Sequence, residues 1–250
     1  MTIDTGSDKP LFTTVPPLPE EDSGYEFNEA GTAICLGEQF RLLAVKVQEW
    51  GDRYFEGKFG GYVDCSEHIE SRSPITDPDE VFARLSLVVQ KAGWHIALFD
   101  SVRELRQRYP FVPEDLPTDI WGDTLLRSGI RTIFLRNDEP SELFHILLHE
   151  DDHRRLFDEG VMDDGAEGVI DMIVASEKID IPAECIAYLV NRYFGIESDH
   201  HFLSSIYIAK LCWNFQVNPW KFGDFLLSQQ DDIIKRALRV IREIEEVMEI

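Results

Sequence analysis

The sequence predicts an α+β domain, mostly helical, with a small β-sheet beside one central helix. Three observations lead there. Apolar residues recur at helical spacing along much of the chain, while two short runs, Trp94 to Phe99 and Ile130 to Arg136, read as strands. The second run leads almost directly into an apolar-rich helical stretch, Leu143-Phe144-His145-Ile146-Leu147-Leu148, followed by His149-Glu150-Asp151-Asp152-His153. The order of strand, short helix, loop, strand and helix describes a small sheet flanked by helices.

Each element has its own signal. Residues 1 to 30 carry Pro10, Pro16, Pro17, Pro19 and the acidic Glu20-Glu21-Asp22, which predict a flexible arm ahead of a single domain over residues 31 to 250. Ile34 to Gly57 reads as a helix with Leu36, Phe40, Leu43, Val47 and Trp50 on one face, closed by Gly57, Gly60 and Gly61. A loop follows, and Asp77-Pro78-Asp79-Glu80 starts a second helix that Gly93 stops. Ser101 to Tyr109 is a short helix, Pro110 to Thr118 a proline-rich loop, and Trp121-Gly122 and Ser128-Gly129 are turn signals around the next strand. Asn137, Asp138 and Ser141 are candidate N-caps for the helix that follows, with Pro140 near its first turn. Asp158 to Gly168 is a connector without the spacing of an EF-hand. A helix beginning near Pro182 and ending at Gly195, another over Phe202 to Phe215, a short one from Pro219 to Leu227 and a long amphipathic one over Asp231 to Glu249 complete the chain. The stripe Ile233, Ala237, Val240, Ile241, Ile244 and Val247 on that last helix serves either core packing or a homodimer contact.

Composition narrows the classes. The chain is long and apolar enough for a sizeable core, and nothing approaches an 18-residue apolar run, so no membrane span is expected. Met1-Thr2-Ile3-Asp4-Thr5 lacks the basic and apolar regions of a secretory signal, and Cys35, Cys65, Cys185 and Cys212 show no C-x-x-C pairing. Both observations predict reduced thiols in a cytoplasmic protein. A net charge of −23 repels phosphates, so direct nucleic-acid binding is not expected. The charge reads as a solubility or salt-adapted surface, as attraction to a basic partner such as a DNA-binding protein, or as mimicry of DNA; the acidic residues are scattered, which favours the first.

The chemistry concentrates in His149 to His153, which reads H-E-x-x-H. Residues four apart share a helix face, so His149 and His153 aim two imidazoles at one point, as a tetrahedral zinc ion requires. Glu150 then reaches a water molecule as general base without ligating the metal. A third protein ligand is needed, and Glu184 is the first candidate; the same residue also suits a helix N-terminus as a simple favourable charge. Glu177 and Asp171 are further acidic candidates, and Cys185 beside Glu184 is a thiol that such a site rarely needs. His145, one turn before His149, is either on the substrate side or a satisfied helix histidine. Tyr188, one turn after Glu184, offers a phenol to an oxyanion or packs in the core.

The order of a strand, an H-E-x-x-H helix, an acidic linker and a helix carrying Glu184, Ala187, Tyr188, Val190 and Tyr193-Phe194-Gly195-Ile196, with an aromatic helix near Trp213, resembles the ImmA/IrrE-type metallopeptidases and the related antirestriction ArdC-type peptidase domain. The resemblance covers roughly residues 77 to 216. It implies a zincin-like fold, Zn2+ bound by His149, His153 and Glu184, Glu150 as base, and protein substrates that include DNA-binding repressors. One departure stands out. The two residues inside the motif are usually an apolar and a small residue, and here they are Asp151 and Asp152, at least one of which is expected on the wet face of the helix. Two functions follow as expectations. The first is a zinc metallopeptidase acting on a protein. The second is a non-catalytic acidic interaction protein on the same fold, antirestriction or DNA-mimic-like.

Overall fold

The computed structural model describes residues 28–56, 71–110, 112, 120–127, 130–161 and 179–247. Residues 1–27 of the predicted arm, Gly57, Gly60 and Gly61, Cys65, Ser128-Gly129, and most of the connector, with Asp171 and Glu177, lie outside these.

Helix α1 (Glu29–Phe55) begins five residues earlier than Ile34. Helix α2 (Pro78–Lys91) starts as the sequence predicts: Asp77 accepts a hydrogen bond from the Asp79 amide, and Pro78 takes the first helical position, where a missing N–H costs nothing. Strand β1 (His95–Phe99) and helix α3 (Val102–Arg108) follow. Two strands then stand where the predicted order counts one. These are β2 (Gly122–Arg127) and β3 (Ile130–Arg136), an antiparallel pair with Gly122 opposite Leu135 and Arg127 opposite Ile130. The sheet order is β1-β3-β2, with β1 parallel to β3 from His95↔Thr132 to Phe99↔Arg136. Central β3 buries Ile133, Phe134 and Leu135 in succession, the continuous apolar run of a strand covered on both faces.

Helix α4 (Pro140–Asp158) carries the motif. Its N-cap is Glu139, with no side-chain cap, and not Asn137, Asp138 or Ser141. Pro140 is the reason: its ring presets the first helical residue, which leaves the residue before it, extended at ψ 149°, as the boundary. Helix α5 (Asp180–Phe194) is buried along almost its whole length and stops at Gly195, whose φ of 72° only glycine adopts freely and whose missing Cβ leaves room for Ser71. Helix α6 (Asp199–Asn214), a 3-10 turn (Pro219–Lys221), α7 (Phe222–Leu227) and α8 (Gln230–Glu246) follow.

One core joins these helices to the sheet: Leu36, Phe40 and Leu43 of α1, Phe144 and Leu147 of α4, Ile186 and Leu189 of α5, and Ile233, Ile241 and Ile244 of α8 are buried in it. The apolar stripe of α8 is therefore spent inside the chain. Cys185 and Cys212 lie in the same core without a disulfide, and burial pushes the Cys185 thiol well up. Among the described residues, no helix is long and apolar enough to cross a membrane.

Candidate metal centre

Helix α4 lies between β2 and α5, and His149, Glu150 and His153 of the motif point to those two neighbours. His145, His149 and His153 recur every four residues on one face, and Asp180, Glu184 and Asn191 of α5 meet them. Asn191 Nδ2 donates to the Ala187 carbonyl at 2.8 Å, which fixes its amide, and to His145 Nδ1 at 3.1 Å. His145 must therefore accept there and donate from Nε2 to Glu184 Oε1 at 3.2 Å. Of its two readings, His145 is the satisfied helix histidine.

Glu184 is buried. Its Oε1 also accepts from Ser204 Oγ of α6 at 2.5 Å, and its Oε2 lies 3.1 Å from His149 Nδ1. Burial alone would raise its carboxyl, but the His145 and His149 imidazoles outweigh that and hold it well below the ordinary range.

Glu150 turns toward the sheet. Thr124 Oγ1 of β2 donates to its Oε2 at 2.8 Å and to its own carbonyl at 2.9 Å. Its backing is Gly122, where a Cβ would come within 2.9 Å of Glu150 Oε1 and 2.7 Å of Ile146. Burial would raise Glu150, yet contacts with His153, His149 and Thr124 lower it, so it is a carboxylate at neutral pH. Asp123, the β2 residue between Gly122 and Thr124, is pushed up to about 7 by burial and by Glu150, against the pull of His153.

His153 sits between two carboxylates: Nδ1 is 3.4 Å from Glu150 Oε2, and Nε2 is 3.4 Å from Asp180 Oδ1. Nε2 is a buried atom without a directed hydrogen bond. Burial would lower its pKa, but Asp180 and Glu150 push it up to about 10. Ligand atoms of His149, Glu150 and His153 all lie within 4.8 Å of one another, a spacing that admits a metal ion.

Tyr188 is placed differently. Its ring stacks on His201 at 4.6 Å and its hydroxyl accepts from Arg192 Nη1 at 3.5 Å. The phenol that feels the site's charge is Tyr207 of α6, pushed up by burial and by the negative charges of Asp180, Glu184 and Glu150. One turn before it on α6 lies Ser204, which holds Glu184. Asp180 could have been found from sequence, being four residues before Glu184 and so on the same helix face. Asp123, Thr124 and Tyr207 carried no local signal.

The two residues inside the motif correct an expectation. Asp151 and Asp152 are not on a wet face but fully buried. Asp151 accepts from Arg154 Nε at 2.5 Å and from Arg155 Nε at 2.7 Å, and Arg155 continues to Glu243 of α8 at 2.7 Å. Asp152 takes both Nε and Nη2 of Arg236, also on α8. Packing α8 against α4 covers that face, and the arginines supply the countercharge that burial demands. These aspartates are therefore neither part of an acidic display surface nor free to ligate.

Comparison with known protein families, with curated proteins and with solved structures finds no match to this chain.

Proposed function

We propose that this chain is a zinc-dependent peptidase of the zincin-like, ImmA/IrrE-resembling kind, hydrolysing a peptide bond in a protein substrate. One observation carries the reading: His149 and His153 share the face of a buried helix with Glu150 between them, and His153 Nε2 is a buried nitrogen that no hydrogen bond satisfies. A buried polar atom without a partner needs an explanation, and two imidazoles beside carboxylates form a donor set that zinc prefers. His149, His153 and a carboxylate of α5 would hold the ion; the resemblance names Glu184 for that place. When bound, zinc supplies a Lewis acid that polarises a carbonyl and acidifies water.

The protein's own residues do the rest. Glu150 is ionised and held by Thr124, so it can take the proton of the attacking water and pass it to the leaving amine. Tyr207 keeps its phenolic proton and can donate a hydrogen bond at the mouth of the site. Among the described residues β2 pairs with β3 alone, so its outer edge offers backbone N–H and C=O groups beside Glu150 to an extended polypeptide.

The test is Glu150→Gln beside the wild type, with zinc content and cleavage of an unfolded labelled protein measured on both. Each should hold about one zinc, and the variant should cleave about 10²–10⁴-fold more slowly. Equal cleavage rates would discard Glu150 as the base, and a wild type without zinc after zinc re-addition would discard the metal.

A further inference from the structure

We propose that Trp121 and Arg136 form a carboxylate-binding subsite beside the candidate centre, where the protein segment acted on places an acidic side chain or its own C-terminal carboxylate. The subsite rests on the peptidase reading above and names the chemistry of that reading's substrate.

Strand β3 carries an arginine near each end, and each lies over a tryptophan ring. The Arg131 guanidinium is 5.8 Å from the Trp94 ring centre, and that of Arg136 is 5.0 Å from the Trp121 ring centre. A carboxylate completes the first pair: Asp158 Oδ1 of α4 accepts from Arg131 Nη1 and from Trp94 Nε1, each at 3.2 Å. The second pair offers the same two donors without an acid. Among the described residues, neither the Arg136 guanidinium nor the Trp121 indole N–H meets a carboxylate. Trp94 is buried, whereas Trp121 is 42% exposed, so the second pair is open to a carboxylate from outside. Guanidinium and indole N–H groups only donate, and a charged acceptor makes the stronger bond with them.

Position ties this pair to the centre. Trp121 immediately precedes Gly122, which backs Glu150, and its carbonyl accepts from the Arg136 amide at 2.7 Å. Its ring meets His200 edge-on at 4.7 Å, and His200 stacks at 5.7 Å on His145, which donates to Glu184. A row of rings thus runs from the buried centre out to Trp121 and Arg136. The acids along this row have other donors. Glu142 accepts from the amides of Asp199 and His200 at 2.5 and 3.3 Å and lies 3.8 Å from His200 Nε2, and Asp138 accepts from the Glu139 amide. An extended segment on the edge of β2 advances about 3.3 Å per residue, which puts a carboxylate at Trp121 within about three residues of a bond beside Glu150.

The experiment uses the full chain, with zinc supplied, and three labelled mixtures of eight-residue peptides. The first mixture carries glutamate and an amidated C-terminus. The second has glutamine in place of glutamate and the same amide, and the third has glutamine and a free C-terminal carboxylate. Binding is followed by fluorescence anisotropy on the Glu150→Gln protein, and hydrolysis on the wild type. The first or the third mixture should bind about tenfold more tightly than the second, the size of one hydrogen bond to a charged group, and the difference should appear in KM rather than kcat. Preference for the first assigns a side chain, and preference for the third a chain terminus. With Arg136→Gln the preference should vanish, with Arg136→Lys part of it should remain, and with Arg136→Glu it should turn toward lysine-containing peptides. Equal or absent binding of the three mixtures, or a preference that survives Arg136→Gln, would overturn the proposal. Preference without hydrolysis would remove the peptidase reading and leave the subsite standing; hydrolysis without preference would do the reverse.

Discussion

On one side of α4, Asp151 is gripped by Arg154 and Arg155 at 2.5 and 2.7 Å, and Arg155 runs on to Glu243 at 2.7 Å. On the other, His153 lies 3.4 Å from each of two carboxylates, and its Nε2 makes no hydrogen bond. Both sides bury charge, and both belong to the same five-residue motif. The difference lies in saturation. Arginine forks meet carboxylates with short, directed bonds, so the α8 side is complete as it stands and holds two helices together. The α5 and β2 side holds His153 between Glu150 and Asp180 at 3.4 Å, with no directed bond at Nε2. Buried charge is thus met by short, directed bonds beside α8 and more loosely at His153.

The largest effect should come from breaking the completed side. Asp151→Ala would take one of two carboxylates from each of two buried guanidinium groups, leaving Arg154 with Asp158 and Arg155 with Glu243, and should cost about 3–5 kcal/mol in chemical denaturation. A loss below about 1 kcal/mol, the scale of an exposed pair, would show that the network is not a clamp. Gly122→Ala probes the other side. The added methyl group meets Ile146 and Glu150, so about 1–3 kcal/mol of stability should go. Peptide hydrolysis should fall further than stability does, since the base is displaced. Retained activity at wild-type stability would show that Glu150 has room to spare.

The smallest effect is a pH dependence that separates the two sides. In the metal-free protein His153 is raised from 6.5 to about 10, because Asp180 and Glu150 outweigh burial. A raised base stabilises the fold fully below its unfolded pKa and loses that contribution as pH climbs through the folded value. The denaturation midpoint should thus decline between pH 6.5 and about 10. Asp151 is lowered: burial would raise it, but Arg155 and Arg154 prevail, so its contribution disappears only on acidification below the ordinary aspartate range. His153→Gln should abolish the alkaline decline, and a decline that survives the substitution would assign it elsewhere.

Much of the fold was legible because its signals are local. Asp77 and Pro78 start α2, Gly195 stops α5, and the 3.6-residue stripe of α8 points inward, all as local chemistry requires. The H-E-x-x-H spacing placed His149, Glu150 and His153 together for the same reason. The errors occurred where a residue's neighbour is remote in the chain. Asp152 looks like a solvent residue until Arg236, 84 positions away, is brought to it, and the local pairing of Asp151 with Arg154 and Arg155 is buried only because Glu243 of α8 reaches Arg155. Tyr188 follows Glu184 by one turn, yet the phenol that senses the site's acids is Tyr207, from another helix.

By itself, then, the sequence determined the elements, their approximate limits, and the presence of two imidazoles and one glutamate on a single helical turn, because backbone periodicity acts over a few residues. Tertiary structure decided which carboxylates face those imidazoles, that Thr124 and Gly122 of β2 close on Glu150, and that Asp152 is fastened to Arg236 of α8. Those outcomes depend on how α4 packs between β2, α5 and α8. Burial of a charge is a property of the surrounding helices, and no window of sequence contains it.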